Sequence, residues 1–509
     1  MASVNKVALR AEFAAIKTRF ESLCADGKLS PEGRALIESM LLLFELLLAV
    51  FLEKTTPKGT QNSGLPSSQT EPDETARRRP GKKGKGPQAD TTASRSRRIV
   101  VETVPAPVTE CRACGQDLDS TAPSGHERRT KVDIVFETTE LTVAAEIKTC
   151  PRCRSETRGA FPDDMPGPLQ YGHGIVAFAT HLLTAHMLSL KRAAQTLKAL
   201  TGRAVAEATL LAWLTRLHAA LAGWEQAAIA RLLTEPALHA DETSLRIAGK
   251  QHWLHSVSAG HLVVKHCHRK RGGEALRDID IVPRYGGVLV HDRWASYFAF
   301  DNCAHALCGS HLLRNLAFIE DAHDHAWARH LGNLLRTTCR RVRQHQDKAL
   351  DETDYKAVRT RYRTILTQAK RELPKPARRL TGQRGRPARS DAENLHEALV
   401  NYETEVLRFA RDPDVPFTNN RAERDIRMAK VKQKVAGCFR TAAYAEAYCR
   451  ISSYLQSMTL QGYNPLTAIE IALRGDAASM VEKPLKNKPV KKQQDQDNPA
   501  NQDQDKRSG

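Results

Sequence analysis

Three acids in this chain of 509 residues, Asp241, Asp292 and Glu423, could form a site for opening and joining phosphodiesters. That chemistry needs a nucleophilic oxygen in line with phosphorus, and cations that stabilise both the entering and the leaving oxygen. Two Mg²⁺ (or Mn²⁺) ions about 3.5–4 Å apart do this, and hard cations take carboxylate oxygens as ligands. Each acid alone also has a structural use. Asp241 could cap the turn beyond it, Asp292 could N-cap a helix at Arg293-Trp294-Ala295, and Asn420-x-x-Glu423 fits a capping box.

The elements that would carry the acids make the set more specific than its members. Ala237-Leu238-His239-Ala240-Asp241-Glu242-Thr243 opens a strand. His252 to Val257 and His261 to Cys267 read as the next two, with a turn at Ser258-Ala259-Gly260. Residues 272–280 read as a short helix, and Gly287-Val288-Leu289-Val290-His291-Asp292 as a buried strand ending in an acid. This is the element order of a ribonuclease-H-like fold, in which the first strand lies beside the one after the helix. Wound as a helix, the stretch from Phe417 puts Ala422, Ile426 and Ala429 on a core stripe, and Glu423, Arg427, Lys430 and Lys434 on another. Asp241 and Glu242 point to opposite faces of their strand, so only one can share a cage with Asp292.

Two cysteine pairs form a second constellation. Cys111-Arg112-Ala113-Cys114 and Cys150-Pro151-Arg152-Cys153 can place four thiolates around one structural Zn²⁺. The alternating segment Lys131 to Lys148 between them reads as two strands. The count of eleven cysteines is odd, and with no N-terminal signal peptide evident a reducing cytoplasm is expected. The formal net charge of +19 points to a polyanionic partner, nucleic acid first and an anionic membrane surface second. The apolar run Met40 to Leu52 is too short to span a bilayer. Candidate phosphate contacts are Arg421, Arg424, Arg427, Lys430, Lys434 and Arg440 around Glu423, and Arg77, Arg78, Arg79, Lys82, Lys83 and Lys85 in a linker. Arg384 and Arg386, in Arg-Gly-Arg-Pro, resemble a minor-groove hook, though a plain basic loop fits as well. Cys308-x-x-His311, with Cys303 and His305 nearby, reads as packing after Asp292 rather than as a second zinc site.

The expected class is α+β and multidomain. Residues 1–54 form a helical segment whose leucine-rich run must be buried, by self-association or by docking on later domains. Residues 55–98 read as a disordered basic linker and 99–160 as the zinc module. Residues 161–232 read as a helical domain, with a helix-turn-helix-like break at Thr201-Gly202-Arg203 or plain packing. Residues 233–320 hold the first part of the ribonuclease-H-like core and 321–412 a helical insertion. Residues 413–480 hold the rest of the core, and 481–509 a disordered tail.

The chain resembles the bacterial DDE transposases of the insertion-sequence sixty-six family. The resemblance runs through Leu169-Gln170-Tyr171-Gly172, Ala240-Asp241-Glu242-Thr243, His291-Asp292-Arg293-Trp294, Cys308-x-x-His311-Leu312-Leu313-Arg314 and Arg384-Gly385-Arg386-Pro387. It is densest from Val415-Pro416-Phe417-Thr418-Asn419-Asn420 to Cys438-Phe439-Arg440-Thr441, with Thr418 where the family often has Asp. It implies cut-and-join transposition of a mobile DNA element, with Asp241, Asp292 and Glu423 as the acidic triad. It also implies a zinc-binding module, companion proteins encoded by the same element, and DNA as partner. A homo-oligomer that does not enter membranes is expected. An inactive zinc-containing DNA-binding protein, or a nuclease without strand transfer, would share the charge and the cysteines. Since the resemblance selects Asp241, Glu242→Gln is expected to be comparatively mild.

Overall fold

The structure, a computed structural model, describes residues 6–26, 29–55, 106–373 apart from 128, 130 and 132–136, and 389–481. Arg77, Arg78, Arg79, Lys82, Lys83, Lys85, Arg384 and Arg386 lie outside the described residues, as does the tail from 482.

Helix α1 (Lys6–Ala25) precedes α2 (Pro31–Thr55). Ser30 caps α2, its Oγ accepting from Gly33 N at 3.1 Å, and Pro31 fills the first helical position, where an N–H would have no partner. The cysteine module holds one antiparallel ribbon, β1 (Ile147–Thr149) with β2 (Glu156–Arg158). Of the segment Lys131–Lys148, expected to hold two strands, residues 137–146 form none and residues 132–136 lie outside the described residues. The second cysteine pair is itself the hairpin loop, closed by Cys150 N to Ser155 O and Arg154 N to Cys150 O, each 2.9 Å.

Helices α3 (His173–Thr184), α4 (Leu190–Thr201), α5 (Glu207–Ala220) and α6 (Ala222–Leu232) follow. α4 stops at Gly202, whose φ of 69° is the left-handed conformation that glycine adopts without a Cβ penalty. Leu197, Leu214 and Trp224 from these helices share one core with Leu238, Ala240 and Val257 of the sheet.

The sheet comprises β3 (Ala237–Ile247), β4 (Lys250–Ala259) and β5 (Leu262–His268), then β6 (Val288–His291) and β7 (Ala304–Leu307) after the crossover helix α7 (Gly273–Ile279). Its order is β5-β4-β3-β6-β7, with β4 antiparallel to both β3 and β5, and with β6 parallel to both β3 and β7. Helices α8 (Gly309–His323), α9 (Ala326–Gln344), α10 (Glu352–Ala369), α11 (Asp391–Asn401) and α12 (Glu403–Leu407) build the insertion. Its core of Leu331, Leu335, Tyr362 and Leu395 continues into Val290 and Ala306 of the sheet. α2 lies against α8, the docking alternative for the N-terminal segment. Even so, Leu36, Met40, Leu43 and Phe44 of α2 are each at least 50% exposed.

The chain closes with α13 (Asn420–Ala436), α14 (Ala442–Leu460) and α15 (Pro465–Leu473). α14 covers the edge strand β5, where the Ser457 and Ser453 hydroxyls accept from Val263 N and Lys265 N at 2.9 Å. α13 lies along β3 and is fastened to it at both ends. At the start, Asn419 Nδ2 donates to Ala240 O at 2.7 Å. At the finish, Phe439 N donates to Arg246 O at 3.0 Å, and Ala248 N to Phe439 O at 2.8 Å.

The segment before α13 also meets the start of α8, where Gly309 N donates to Phe417 O at 2.8 Å. A Cβ on Gly309 would fall 2.3 Å from the Phe417 ring. Gly309→Ala should therefore lower stability by about 1–3 kcal/mol, the usual cost of overpacking. Chemical denaturation would register this as a lower midpoint, and an unchanged midpoint would mean that the ring yields.

Candidate active site

β3 and β6 pair in parallel, with Ala237 opposite Val288 and His239 opposite Val290. Two residues further on, the same register sets Asp241 level with Asp292. Asp292 lies one residue past the end of β6, its Oδ1 accepting from Trp294 N at 2.9 Å, so the register gives its level along the sheet and not its facing. Ala422, Ile426 and Ala429 of α13 are buried as the periodicity requires. The third acid is levelled by its helix. Glu423 lies four residues beyond Asn419, about 6 Å at 1.5 Å per residue. That matches about two residues of strand at ~3.3 Å each, which carries Glu423 from the level of Ala240 to that of Glu242, one residue past Asp241.

Asn419 is the residue the sequence reading undervalued. It was legible only as part of a motif, because an asparagine before a helix reads as a cap. The helix begins at Asn420, with Asn419 at the N-cap position and no side-chain cap, so the capping box expected from Asn420 to Glu423 does not form. Asn419 is instead buried, with its Oδ1 2.8 Å from His239 Nδ1, its Nδ2 on Ala240 O, and its backbone N donating to Cys308 Sγ at 3.1 Å. One residue thus ties the strand of Asp241, the helix of Glu423 and the start of α8 together.

The carboxyls sit in an environment that resists their charge. Burial first, then the neighbouring Glu242, Asp292 and Glu423, hold Asp241 well above the usual carboxylate range. Burial and Glu242 push Asp292 up to about 6. Glu423 is raised by burial, against the opposing pull of Arg314 and Arg427. Its Oε1 lies 3.4 Å from an Arg314 nitrogen and 3.5 Å from His311 Nδ1. The three acids do not gather their oxygens within 4.8 Å; among the described residues the group that does so is Cys308, His311 and Glu423. Cys308 there already accepts the Asn419 amide, so its visible role is to seat α13.

Glu242 faces the opposite side, as expected, but it is not idle. It is 2% exposed, accepts from Arg271 Nε at 2.8 Å and from the Tyr297 hydroxyl at 2.6 Å. Arg271 in turn lies 3.7 Å over the Trp294 ring, two residues after Asp292. A Glu242→Gln change, expected to be mild, would here leave a half-buried guanidinium without its counter-charge. No local sequence signal marks Arg271, because its partners come from three distant segments.

Among the candidate DNA contacts, Arg424, Arg427, Lys434 and Arg440 are exposed. Arg421 and Lys430, expected on the same surface, turn inward. Arg421 donates to Ser258 Oγ, Gly260 O and Leu262 O, and Lys430 Nζ donates to Ser244 O and Oγ. The cysteine knuckles share one geometry. Gly115 N and Arg154 N bond to Cys111 O and Cys150 O, and both residues have positive φ. No three of the four sulfurs gather within 4.8 Å.

Four histidines around the site are held neutral, mainly by burial: His239 and His255 are pushed down to about 4, His291 and His311 to about 3. Unfolding returns them to near 6.5, so between pH about 4 and 6.5 the unfolded chain binds more protons. Stability should then fall as pH drops through that window. Asp241, Asp292, Glu423 and Asp425 work in the opposite sense, but His181, His218, His266 and His305 are lowered as well, so the histidines outnumber them. The metal-free protein is expected to melt several degrees lower at pH 5 than at pH 7, with a shallower slope for His239→Gln. Equal melting temperatures would contradict this.

Among the described residues, no helix is long and apolar enough to cross a membrane. A search of curated proteins gives no match. A family model described as Transposase IS66 family matches residues 168–447. That match covers more than half of the chain and includes the strands and helix bearing all three acids, and on it the protein belongs to the IS66 transposase family.

Proposed function

We propose that this transposase binds the ends of a mobile DNA element and catalyses metal-dependent cleavage and strand transfer, with Asp241, Asp292 and Glu423 as its catalytic acids. What carries the reading is the shared level of Asp241 and Asp292, with Asp292 and Glu423 both close enough to raise Asp241 and Glu423 brought alongside by α13. The strand order, a three-strand meander extended by two parallel strands beyond β3, supports a ribonuclease-H-like core.

The donor set fits a hard divalent cation. Buried carboxyls that raise one another's pKa are relieved by a positive ion, and oxygen ligands suit Mg²⁺ or Mn²⁺. When bound, two such ions would stabilise the charge on the entering and leaving oxygens. The chain's own part is to hold the three carboxylates in place, and to set Arg314 and Arg427 beside Glu423 where a phosphate can approach. Exposed Arg424, Lys434 and Arg440 are suited to grip the DNA backbone, as are the linker cations and Arg384 and Arg386.

The cysteine knuckles fit a zinc site once closed together. Each pair is preformed, and the Cys153 thiol is drawn down to about 7 by the Ser155 hydroxyl, which favours the thiolate that zinc needs. Self-association and companion proteins belong to the same proposal.

Asp241→Asn, Asp292→Asn or Glu423→Gln should each lower end cleavage and joining by orders of magnitude while leaving end binding intact, because binding rests on cations. Labelled element ends with Mg²⁺ would report binding only, cutting only, or cutting and joining. Full activity of the Glu423→Gln protein would end the assignment. Metal analysis of the whole protein should find about one zinc per chain, as expected for a four-thiolate site. The zinc should be lost when Cys111 or Cys150 becomes serine, and retention in both variants would refute the site.

A further inference from the structure

α9 carries five arginines and no acid: Arg329, Arg336, Arg340, Arg341 and Arg343. Its apolar side, with Trp327, Leu331, Leu335 and Val342, is fully engaged in the insertion core. Two of the arginines are matched, Arg329 by Glu320 and Arg341 by Asp354. Arg336, Arg340 and Arg343 are exposed and have no carboxylate partner among the described residues; Arg336 donates only to the neutral Asn333. Their spacing of four and three residues aligns them on one helix face over about 10 Å.

Like charges in a row on one face repel, and here no acid offsets them. By contrast, the neighbouring Arg359 and Arg363 of α10 share Glu403, and Lys356 pairs with Glu352. A row of unmatched guanidiniums suits a polyanion with closely spaced phosphates. An anionic membrane fits poorly, because surface-bound helices insert an apolar face and neither α9 nor α10 exposes a large hydrophobic residue among those described.

We propose that the outer face of α9 is a further DNA-binding surface, holding duplex DNA by its phosphate backbone through Arg336, Arg340 and Arg343 without reading sequence. This rests on the DNA-acting role proposed above. It lies on the insertion, on a different helix from the cations of α13.

The test compares the full-length protein with an Arg336→Gln, Arg340→Gln, Arg343→Gln variant, measuring affinity for element-end and random duplexes between 50 and 200 mM salt. Each lost phosphate contact flattens the salt dependence by about 0.9, so the triple variant should have a slope shallower by about two to three. Both duplexes should be weakened alike, with an unchanged melting temperature. Should the triple variant fail to fold, the single Arg340→Gln protein is expected to lose about 0.9 of slope. An unaltered slope in a variant whose parent binds DNA would overturn the surface and leave the functional reading standing. Loss confined to element ends would overturn the claim of sequence-independent contact. Absence of DNA binding by the parent would overturn the functional reading, and the surface with it. Flotation with phosphatidylserine vesicles is the remaining arm, and a variant that loses vesicle binding but keeps its DNA slope would overturn the surface in favour of a membrane.

Discussion

The fastening of α13 along β3 is the constraint on which the rest of the structure depends. A helix of 17 residues rises about 25 Å, close to the length of strand between its two anchor points. Lys430 bonds to Ser244 midway, as that match of lengths requires. Because both ends and the middle are fixed, rotation of α13 about its axis is fixed too, and with it the direction of Glu423. Asn419 has the largest share, since its three contacts reach three different segments from a site with almost no access to water.

Around that frame the acids sit in low-dielectric surroundings that favour their protonated forms, while the nearby histidines are kept neutral by the same burial. The site therefore has a deficit of positive charge, which the arginines at hand only partly meet. Arg314 approaches Glu423, whereas Arg271 is committed to Glu242. This imbalance is what makes the cluster suited to a divalent cation and poorly suited to serving as a mere structural ion-pair network.

The cations of this chain divide into structural and available ones in a way that net charge does not foretell. Arg421 clamps the turn between β4 and β5, and Lys432 is buried among the rings of Phe439, Tyr444 and Tyr448 at 5.1 to 5.5 Å. Neither is free to meet a phosphate. Arg427, Lys434 and the unmatched arginines of α9 remain in water.

What the sequence determined by itself was local or periodic. Alternating and continuous apolar runs marked β3 to β6, a stripe at helical spacing marked the buried face of α13, and strand parity separated Asp241 from Glu242. Its motifs also carried enough of the family pattern to identify the relatives of this chain. It could not say where polar side chains far apart in sequence meet. That Asn419 binds His239, that Arg271 pairs with Glu242, and that Lys430 turns toward Ser244 are matters of contacts across some 30 to 190 positions. No spacing rule reaches so far. The hairpin at the second cysteine pair, closed by backbone hydrogen bonds, was likewise not marked by the alternation of side chains. Hydrophobic periodicity is set by each element's own geometry and survives in the sequence, whereas the pairing of buried polar groups is decided only when the elements close on one another.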